Sequence, residues 1–377
     1  MSEFPEAPRE QVNPVYNDNR LKLGVFGING PGTIMTTHAD RFLPTWADSV
    51  AVAKVFDDAG LEAIVPYSRW KPFGGPEHAT GVTLDTFAWA AAVSAVTSYS
   101  CVFATVHAHA VHPLVAAKQG ATIDQISGGR FALNLVVGFY LPEIETFGID
   151  AGTKDDRYDL GEAWVDAVRR LWTETGEVDI DTPHVKVRGG VSQPKPVQKP
   201  NPPIMNAGSS DRGRQLAGRH ADIAFVVSQT EDPAAIAEQV ASYKNYTREQ
   251  FGREIQVWGY GLVVQAPTID EAREVLRTYT ADCMDVEAVD EFARYMFGSA
   301  MSADRLQTMR PAIASGGSMQ LLGTPEDIAD KLAMMSSCGM DGVLLTFVNY
   351  AGGSRAFVDT VLPVLEQRGL RAPHRRD

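Results

Sequence analysis

Eight short apolar segments, each followed by a helical stretch, constrain this chain more than any other feature. They lie at residues 21–28 (LKLGVFGI), 62–69, 100–108 (SCVFATVHA), 131–137 (FALNLVV), 203–207, 223–227, 256–265 and 342–347 (GVLLTF). Between and after them, helical patterns occupy 45–61, 83–97, 112–127, 156–173, 210–221, 233–246, 269–280, 324–338 and 354–368. In 156–173 the large apolar residues Leu160, Trp164, Val168 and Leu171 recur at helical spacing, which marks one buried face. Strands that are apolar throughout, rather than alternating, are covered on both faces, and alternation with helices makes the sheet parallel. Eight such units favour closure, so the predicted fold is an α/β (β/α)8 TIM barrel with insertions. An open dinucleotide-binding sheet is disfavoured: Gly27, Gly30 and Gly32 give G-x-x-G-x-G, the wrong spacing, with no helix opening there.

Two stretches break the rhythm. Residues 178–202 hold five prolines and a Gly-Gly pair and read as a loop or hairpin excursion. Residues 285–317 read as a helical insertion ending in SGGS, with the mixed Met, Arg and Gly content of a mobile gate. The expected organisation is an N-terminal extension over 1–20 and one barrel over 21–377. The polar start lacks the apolar core of a signal peptide, and no run approaches the roughly 20 apolar residues of a membrane span. A net charge of −13 argues against nucleic acid and anionic membranes as partners. The 3 cysteines form no CxxC pair, which fits a reducing, cytoplasmic setting.

A barrel carries its chemistry where strands end and loops begin. The polar residues at those ends are Asn29, Ser68, Arg69, Thr105, His107, His109, Asn134, Glu143, Asn206, Ser209, Ser210, Ser228 and Asn349. In NAGSSDRGRQLAG a strand ends at Asn206 and a helix follows two serines. Free backbone N–H groups and hydroxyls there suit an anion, and Arg157, placed just ahead of a helix, adds positive charge. Simple helix capping by Ser209 or Ser210 is the alternative. Asn134 and Thr105 interrupt apolar strands, as pocket-facing groups or as satisfied core residues. His107 and His109 in TVHAHAVHP have the spacing of a metal pair. The later histidines, His184, His220 and His374, stand away from strand ends, so no metal is expected.

Beyond these readings, the sequence resembles the bacterial luciferase-like flavin monooxygenases from about Leu21 to Leu365. The resemblance rests on AAKQGATIDQISGGRFALNLVVGFYLPEIETFG (116–148), DDRYDLGEAWVDAVRRLW, NAGSSDRGRQLAGRHAD and GTPEDIADKL…GMDGVLLTF. THADRFLPTW and RWKPFGG point to the branch that acts on pyrimidines, sulfones and riboflavin. The resemblance implies reduced FMN supplied by a separate NAD(P)H:flavin reductase, O2 as co-substrate, and a homo-oligomer, dimer or tetramer. It implies monooxygenation of a small heterocyclic or organosulfur molecule, with cleavage of a C–N or C–S bond. The oxidant would be a flavin (hydro)peroxide, an N5-linked form being one version.

By position, Ser68 and Arg69 would lie beside the flavin, and Thr105 and Asn134 would face its N5 side. Glu143 would contact the flavin region, and Arg157, Tyr158, Ser209 and Ser210 would hold the phosphate. His107 or His109 is expected as acid or base, with a pKa near neutral. Phe139 and Ser209 replace the tryptophan and glutamine of the branch, and His107, His109 and His112 replace small or apolar residues, which implies another substrate. Riboflavin cleavage, an F420-dependent oxidoreductase, a metal-dependent hydrolase using His107 and His109, and a non-catalytic flavin binder are the rival readings.

Overall fold

The computed structural model describes residues 5–75, 80–228, 230–298 and 301–374. The eight apolar segments become β1 (Lys22–Phe26), β2 (Ala63–Val65), β3 (Cys101–His107), β4 (Phe131–Val136), β5 (Ile204–Asn206), β6 (Ile223–Phe225), β7 (Gln256–Gln265) and β8 (Gly342–Thr346). Neighbours pair in parallel in the order β6-β5-β4-β3-β2-β1-β8-β7, and β7 pairs again with β6, which closes the barrel. Closure leaves no open edge in the ring.

Strand periodicity sets what faces inward. Ala63, Val65, Cys101, Phe103, Ala132, Met205, Ile223, Phe225, Trp258, Tyr260 and Leu344 pack into one interior cluster with Phe26 and Tyr67. Their neighbours in sequence, Val102, Ala104, Val106 and Leu133, join the shell between strands and helices. That parity carries Thr105 and His107 inward on β3 and Asn134 inward on β4. Each large apolar side chain buried this way contributes about 1.5–3 kcal/mol.

The outer shell includes α1 (Trp46–Asp58), α2 (Thr86–Ser94), α3 (Pro113–Ser127), α4 (Lys154–Thr173), α5 (Asp211–His220) and α6 (Pro233–Phe251). Helix α4 starts ahead of the expected residue because Thr153 and Asp156 form a capping box. Arg157 therefore lies in its first turn, not before it. Trp164 and Trp172 of α4 are fully buried, and their indole N–H groups donate to Val111 O (2.7 Å) and Ala117 O (2.9 Å).

The excursion at 178–202 contains an antiparallel hairpin, Val178–Asp181 with Lys186–Gly190. Its far end, Gln198–Lys199, pairs with Ala7–Pro8. Within the N-terminal extension, residues 7–15 pack against the barrel. Val15 joins the barrel interior, and Asn13 donates to Phe131 O (3.3 Å) and Gln198 Oε1 (3.0 Å), so the segment plugs the N-terminal face. Between β7 and β8 lie α7 (Ile269–Arg277), α8 (Val286–Phe297), α9 (Ala303–Ala314) and α10 (Pro325–Ser337). A further strand, Met319–Gly323, pairs with Gly261–Gln265 of β7 beyond the ring. Sequence periodicity does not show it, because five residues after a glycine turn hold too little pattern.

Candidate active site

The inner mouth of the barrel is an aromatic floor with polar groups above it. Phe26 packs on Phe225 and Tyr260 at centroid separations of 5.6 Å each. The parallel register sets Thr105 directly beside Asn134 and His107 beside Val136. Asn134 Nδ2 donates to Thr105 Oγ1 at 3.1 Å, and the Thr105 hydroxyl donates to Pro66 O. Both residues are 3% exposed, and Asn134 Oδ1 has no partner among the described residues. An unpaired buried acceptor is costly, so this atom faces a place where a donor belongs. Tyr67 Oη is likewise buried and unpartnered.

One wall of the mouth is a carboxylate-centred network. Glu143 stands on a short helical turn, Leu141–Glu145, and is 1% exposed. Its Oε1 accepts from the Trp70 N–H (2.7 Å), while Oε2 accepts from Arg69 Nη1 (3.1 Å) and faces His107 Nε2 (3.6 Å). The Arg69 guanidinium lies 4.7 Å from the Phe73 ring centre, and its Nε has no partner. Ser68 precedes Arg69 at the end of β2. Glu143 thus ties the strand-end loop 68–71 to β3 and β4.

His107 and His109 stack with ring centres 5.3 Å apart and planes 18° apart, instead of converging on a metal-sized point. The near-neutral titration expected of them is not what the structure sets up. Burial, with help from the Arg69 charge and His109, holds His107 well below the usual histidine range. Burial and Arg157 lower His109 to about 4. Both rings are neutral at pH 7, so neither serves as an acid there. Among the described residues no group of three or more His, Cys, Asp or Glu could hold a metal ion.

A cleft of about 310 Å³ opens beside this mouth, lined by Gly138, Phe139, Lys154, Arg157, Tyr158 and residues 206–210, with Tyr295 and Met296 of α8 at its rim. Ser210 caps α5 by accepting from Gly213 N (3.2 Å) and meets Tyr158 Oη at 3.0 Å. Capping and anion binding are therefore not exclusive here. Gly208 and Gly213 touch backbone to backbone: a Cβ added at Gly208 would lie 2.6 Å from Gly213 Cα. Only glycine permits this close approach, which holds the start of α5 against the loop that lines the cleft. Arg157 donates to the carbonyls of Gly138, Ala151 and Gly152 at 3.2–3.3 Å and makes no ion pair among the described residues. Ser209 is exposed at the rim.

Helices α8 and α9 lie across the mouth. Phe292, Tyr295 and Phe297 pack with Phe73, Tyr140, Met35 and Phe139 in a separate apolar cluster. Glu291 accepts from Gly74 N–H and from Tyr140 Oη–H, which fastens α8 to two strand-end loops. The insertion is a packed helical hairpin, with residues 299–300 outside the described set.

The chain matches a known protein family over most of its length: the family's model, described as luciferase-like monooxygenase, matches residues 21–342. The chain belongs to this family. It is an oxidoreductase, a flavin-dependent monooxygenase by class. It is similar to pyrimidine monooxygenase RutA of Escherichia coli K12, with 31% identity over 359 residues, 92% of each chain. The Cronobacter turicensis enzyme of the same name is 30% identical over 92% of this chain and 93% of the relative. Among solved structures, riboflavin lyase superposes with a TM-score of 0.82 at 24% identity, covering 95% of this chain and 94% of the other. EDTA monooxygenase from Chelativorans sp. BNC1 gives 0.78 at 19% identity over 93% and 95%. At those identities the structures speak for the shared fold alone.

Of the residues expected at the site, the structure brings Arg69, Thr105, His107, Asn134 and Glu143 to the mouth, and Arg157, Tyr158, Ser209 and Ser210 to the cleft. Asn29, by contrast, straps backbone together, bonding Tyr67 N, Tyr67 O and Leu84 O. Asn206 and Asn349 likewise serve local turns. Lys154, Tyr67, Tyr140 and Glu291 were missed. The Thr-x-x-Asp pattern at 153–156 would have placed Lys154 at the start of α4; nothing local marks the others.

Proposed function

We propose that the protein is the oxygenase component of a two-component system, using reduced FMN and O2 to oxidise a small heterocyclic or organosulfur molecule with cleavage of a C–N or C–S bond. The observation that carries this reading is the built anion cradle next to a buried, unpaired acceptor. The cradle fits a phosphate: Arg157, Lys154, the Ser209 and Ser210 hydroxyls and Tyr158 share one cleft at the start of α5. Asn134 Oδ1 fits the N–H edge of a reduced isoalloxazine, and the aromatic floor fits its ring. The 31% identity to a pyrimidine monooxygenase over 92% of both chains supports the reaction class.

Reduced flavin, when bound, supplies the electrons that let O2 deliver one oxygen atom to the substrate. The chain's own residues do the rest. Asn134 and Thr105 place one amide oxygen and one hydroxyl at the mouth. Ser68, Arg69 and Glu143 border the same space and hold its wall rigid through the Glu143 hydrogen bonds. Helices α8 and α9 cover the mouth with aromatic side chains and keep water out, which strengthens every polar contact beneath them. His107 and His109, both neutral, act as acceptors or bases rather than acids. A separate NAD(P)H:flavin reductase supplies reduced FMN, and the oxygenase works as a homo-oligomer in the cytoplasm. No helix among the described residues is long and apolar enough to cross a membrane.

The test is an anaerobic titration with reduced FMN, followed by rapid mixing with oxygenated buffer. Saturable binding and a transient flavin–oxygen absorbance are the expected results. Heterocycles, sulfones and riboflavin are then screened for product. Absence of binding sinks the cofactor assignment.

A further inference from the structure

The mouth contains a histidine whose surroundings leave it only one job. His107 continues the inward face of β3 two residues beyond Thr105 and is 4% exposed. Its Nε2 faces Glu143 Oε2 at 3.6 Å. Glu143 already accepts from the Arg69 guanidinium and from the N–H groups of Trp70 and Lys71, as a carboxylate does. A carboxylate only accepts, and its charge favours the neutral form with hydrogen on the ring atom turned toward it, even at a separation beyond hydrogen-bond length. In a neutral imidazole that leaves Nδ1 as a lone pair, and Nδ1 is buried with no partner among the described residues.

We propose that His107 sorts substrates at this site: positioned by Glu143 with Nε2 protonated, it offers Nδ1 as a hydrogen-bond acceptor to a substrate N–H or O–H. This rests on the reading of the mouth as the substrate pocket. The groups around the ring agree. Arg69 and His109, the other charged or titratable side chains on it, both oppose a second proton, as does burial. Arg69 Nε, also buried and unpartnered, supplies a donor in the same wall. The wall thus presents one acceptor and one donor. A substrate bearing a hydrogen-bond donor close to an acceptor satisfies both, whereas an alkane or a dialkyl sulfone leaves Nδ1 unpaired. Sites built to bond a substrate N–H or O–H discriminate strongly against analogues lacking it. Glu143 acts as a positioning residue through the ring.

Two measurements test this. The first is 15N NMR of flavin-free, 15N-histidine-labelled protein at pH 7, with His107 assigned from the His107→Asn variant. A single neutral tautomer with the proton on Nε2 is expected, and Glu143→Leu lets the Nδ1–H form appear. An Nδ1–H tautomer or a doubly protonated ring in the unaltered protein overturns the proposal, even if the Glu143→Leu variant fails to fold. The second is calorimetric binding of uracil and 1,3-dimethyluracil to the FMN-loaded protein, as probes that differ in their N–H groups. The N–H probe is expected to bind at least about fivefold tighter, the lower end of the cost of leaving a buried acceptor unpaired. His107→Leu abolishes the preference, and His107→Asn, whose amide oxygen stands near the Nδ1 position, keeps it. Equal binding, binding of neither probe, or a preference that survives His107→Leu overturns the assignment. Because the tautomer measurement needs no flavin, its failure is distinct from a failed FMN titration.

Discussion

Replacing Ser210 with aspartate separates two roles that one hydroxyl plays. In the folded chain Ser210 Oγ accepts from Gly213 N at 3.2 Å, which caps α5, and meets Tyr158 Oη at 3.0 Å. Aspartate caps a helix about as well as serine and adds a favourable charge at the helix start, on the order of 0.3–1 kcal/mol. Tyr158 can donate to it in place of the serine. Stability is therefore expected to change by less than about 1 kcal/mol, a shift of a few degrees at most in thermal midpoint for a chain of this size. Anion binding has the opposite outlook. A carboxylate about 4 Å from a phosphate charge, at an effective dielectric near 20, costs about 4 kcal/mol per unit charge. That is roughly a thousandfold in affinity. Ser210→Ala provides the contrast: it loses the cap, about 1 kcal/mol of stability, and one charge-assisted hydrogen bond to phosphate, about tenfold or somewhat more in affinity. The assay pairs thermal unfolding with anaerobic fluorescence titration of reduced FMN. If Ser210→Asp binds reduced FMN as the unaltered protein does, the phosphate lies elsewhere. If it unfolds as readily as Ser210→Ala, the capping argument is wrong.

Other perturbations probe the rest of the molecule. Burial holds His109 at about 4 against an ordinary 6.5, so the unfolded chain takes up a proton that the folded chain refuses. Stability should be full above pH 6.5 and fall as pH drops toward 4, by roughly 2 kcal/mol after allowing for partial exposure, and His109→Phe should flatten that slope in urea unfolding. Glu291→Ala removes the acceptor for Gly74 N and Tyr140 Oη. Hydrogen exchange over 286–314 should speed up while exchange in the barrel strands stays the same; uniform acceleration would show that α8 is not separately fastened. Arg371 and Glu62 form an ion pair with side chains 1% and 0% exposed. Arg371→Ala should destabilise by about 3–5 kcal/mol, since it leaves a buried carboxylate without its counter-charge, and a loss under about 1 kcal/mol in denaturant melts would show that the donors of Asn17, Asn19 and Leu23 suffice for Glu62.

Asn134→Leu probes the unpaired acceptor. It removes an amide oxygen left open beside Thr105, and reduced-FMN affinity should fall about tenfold with little change in thermal midpoint. An unchanged titration would place Asn134 in the structural class with Asn29.

Much of the architecture was legible along the chain because it depends on local periodicity. The eight apolar segments all became the strands of one ring, and the spacing of Gly27, Gly30 and Gly32 had already spoken against an open dinucleotide-binding sheet. The alternation along SCVFATVHA also puts Thr105 and His107 on one face, and the glycines and serines of NAGSSDRG announce a helix start. Tertiary structure alone decided how those faces meet. Glu143 meets Arg69 across 74 residues of sequence, and Arg371 meets Glu62 across 309, through strand register and chain closure that no local pattern encodes. The same is true of the N-terminal segment plugging the barrel and of Glu291 fastening the helical cover. The histidines make the point most directly: as a residue type they are expected to titrate near neutrality, but a pKa is set by the surrounding medium and charge. Packing that buries two stacked rings beside Arg69 and Arg157 keeps both neutral.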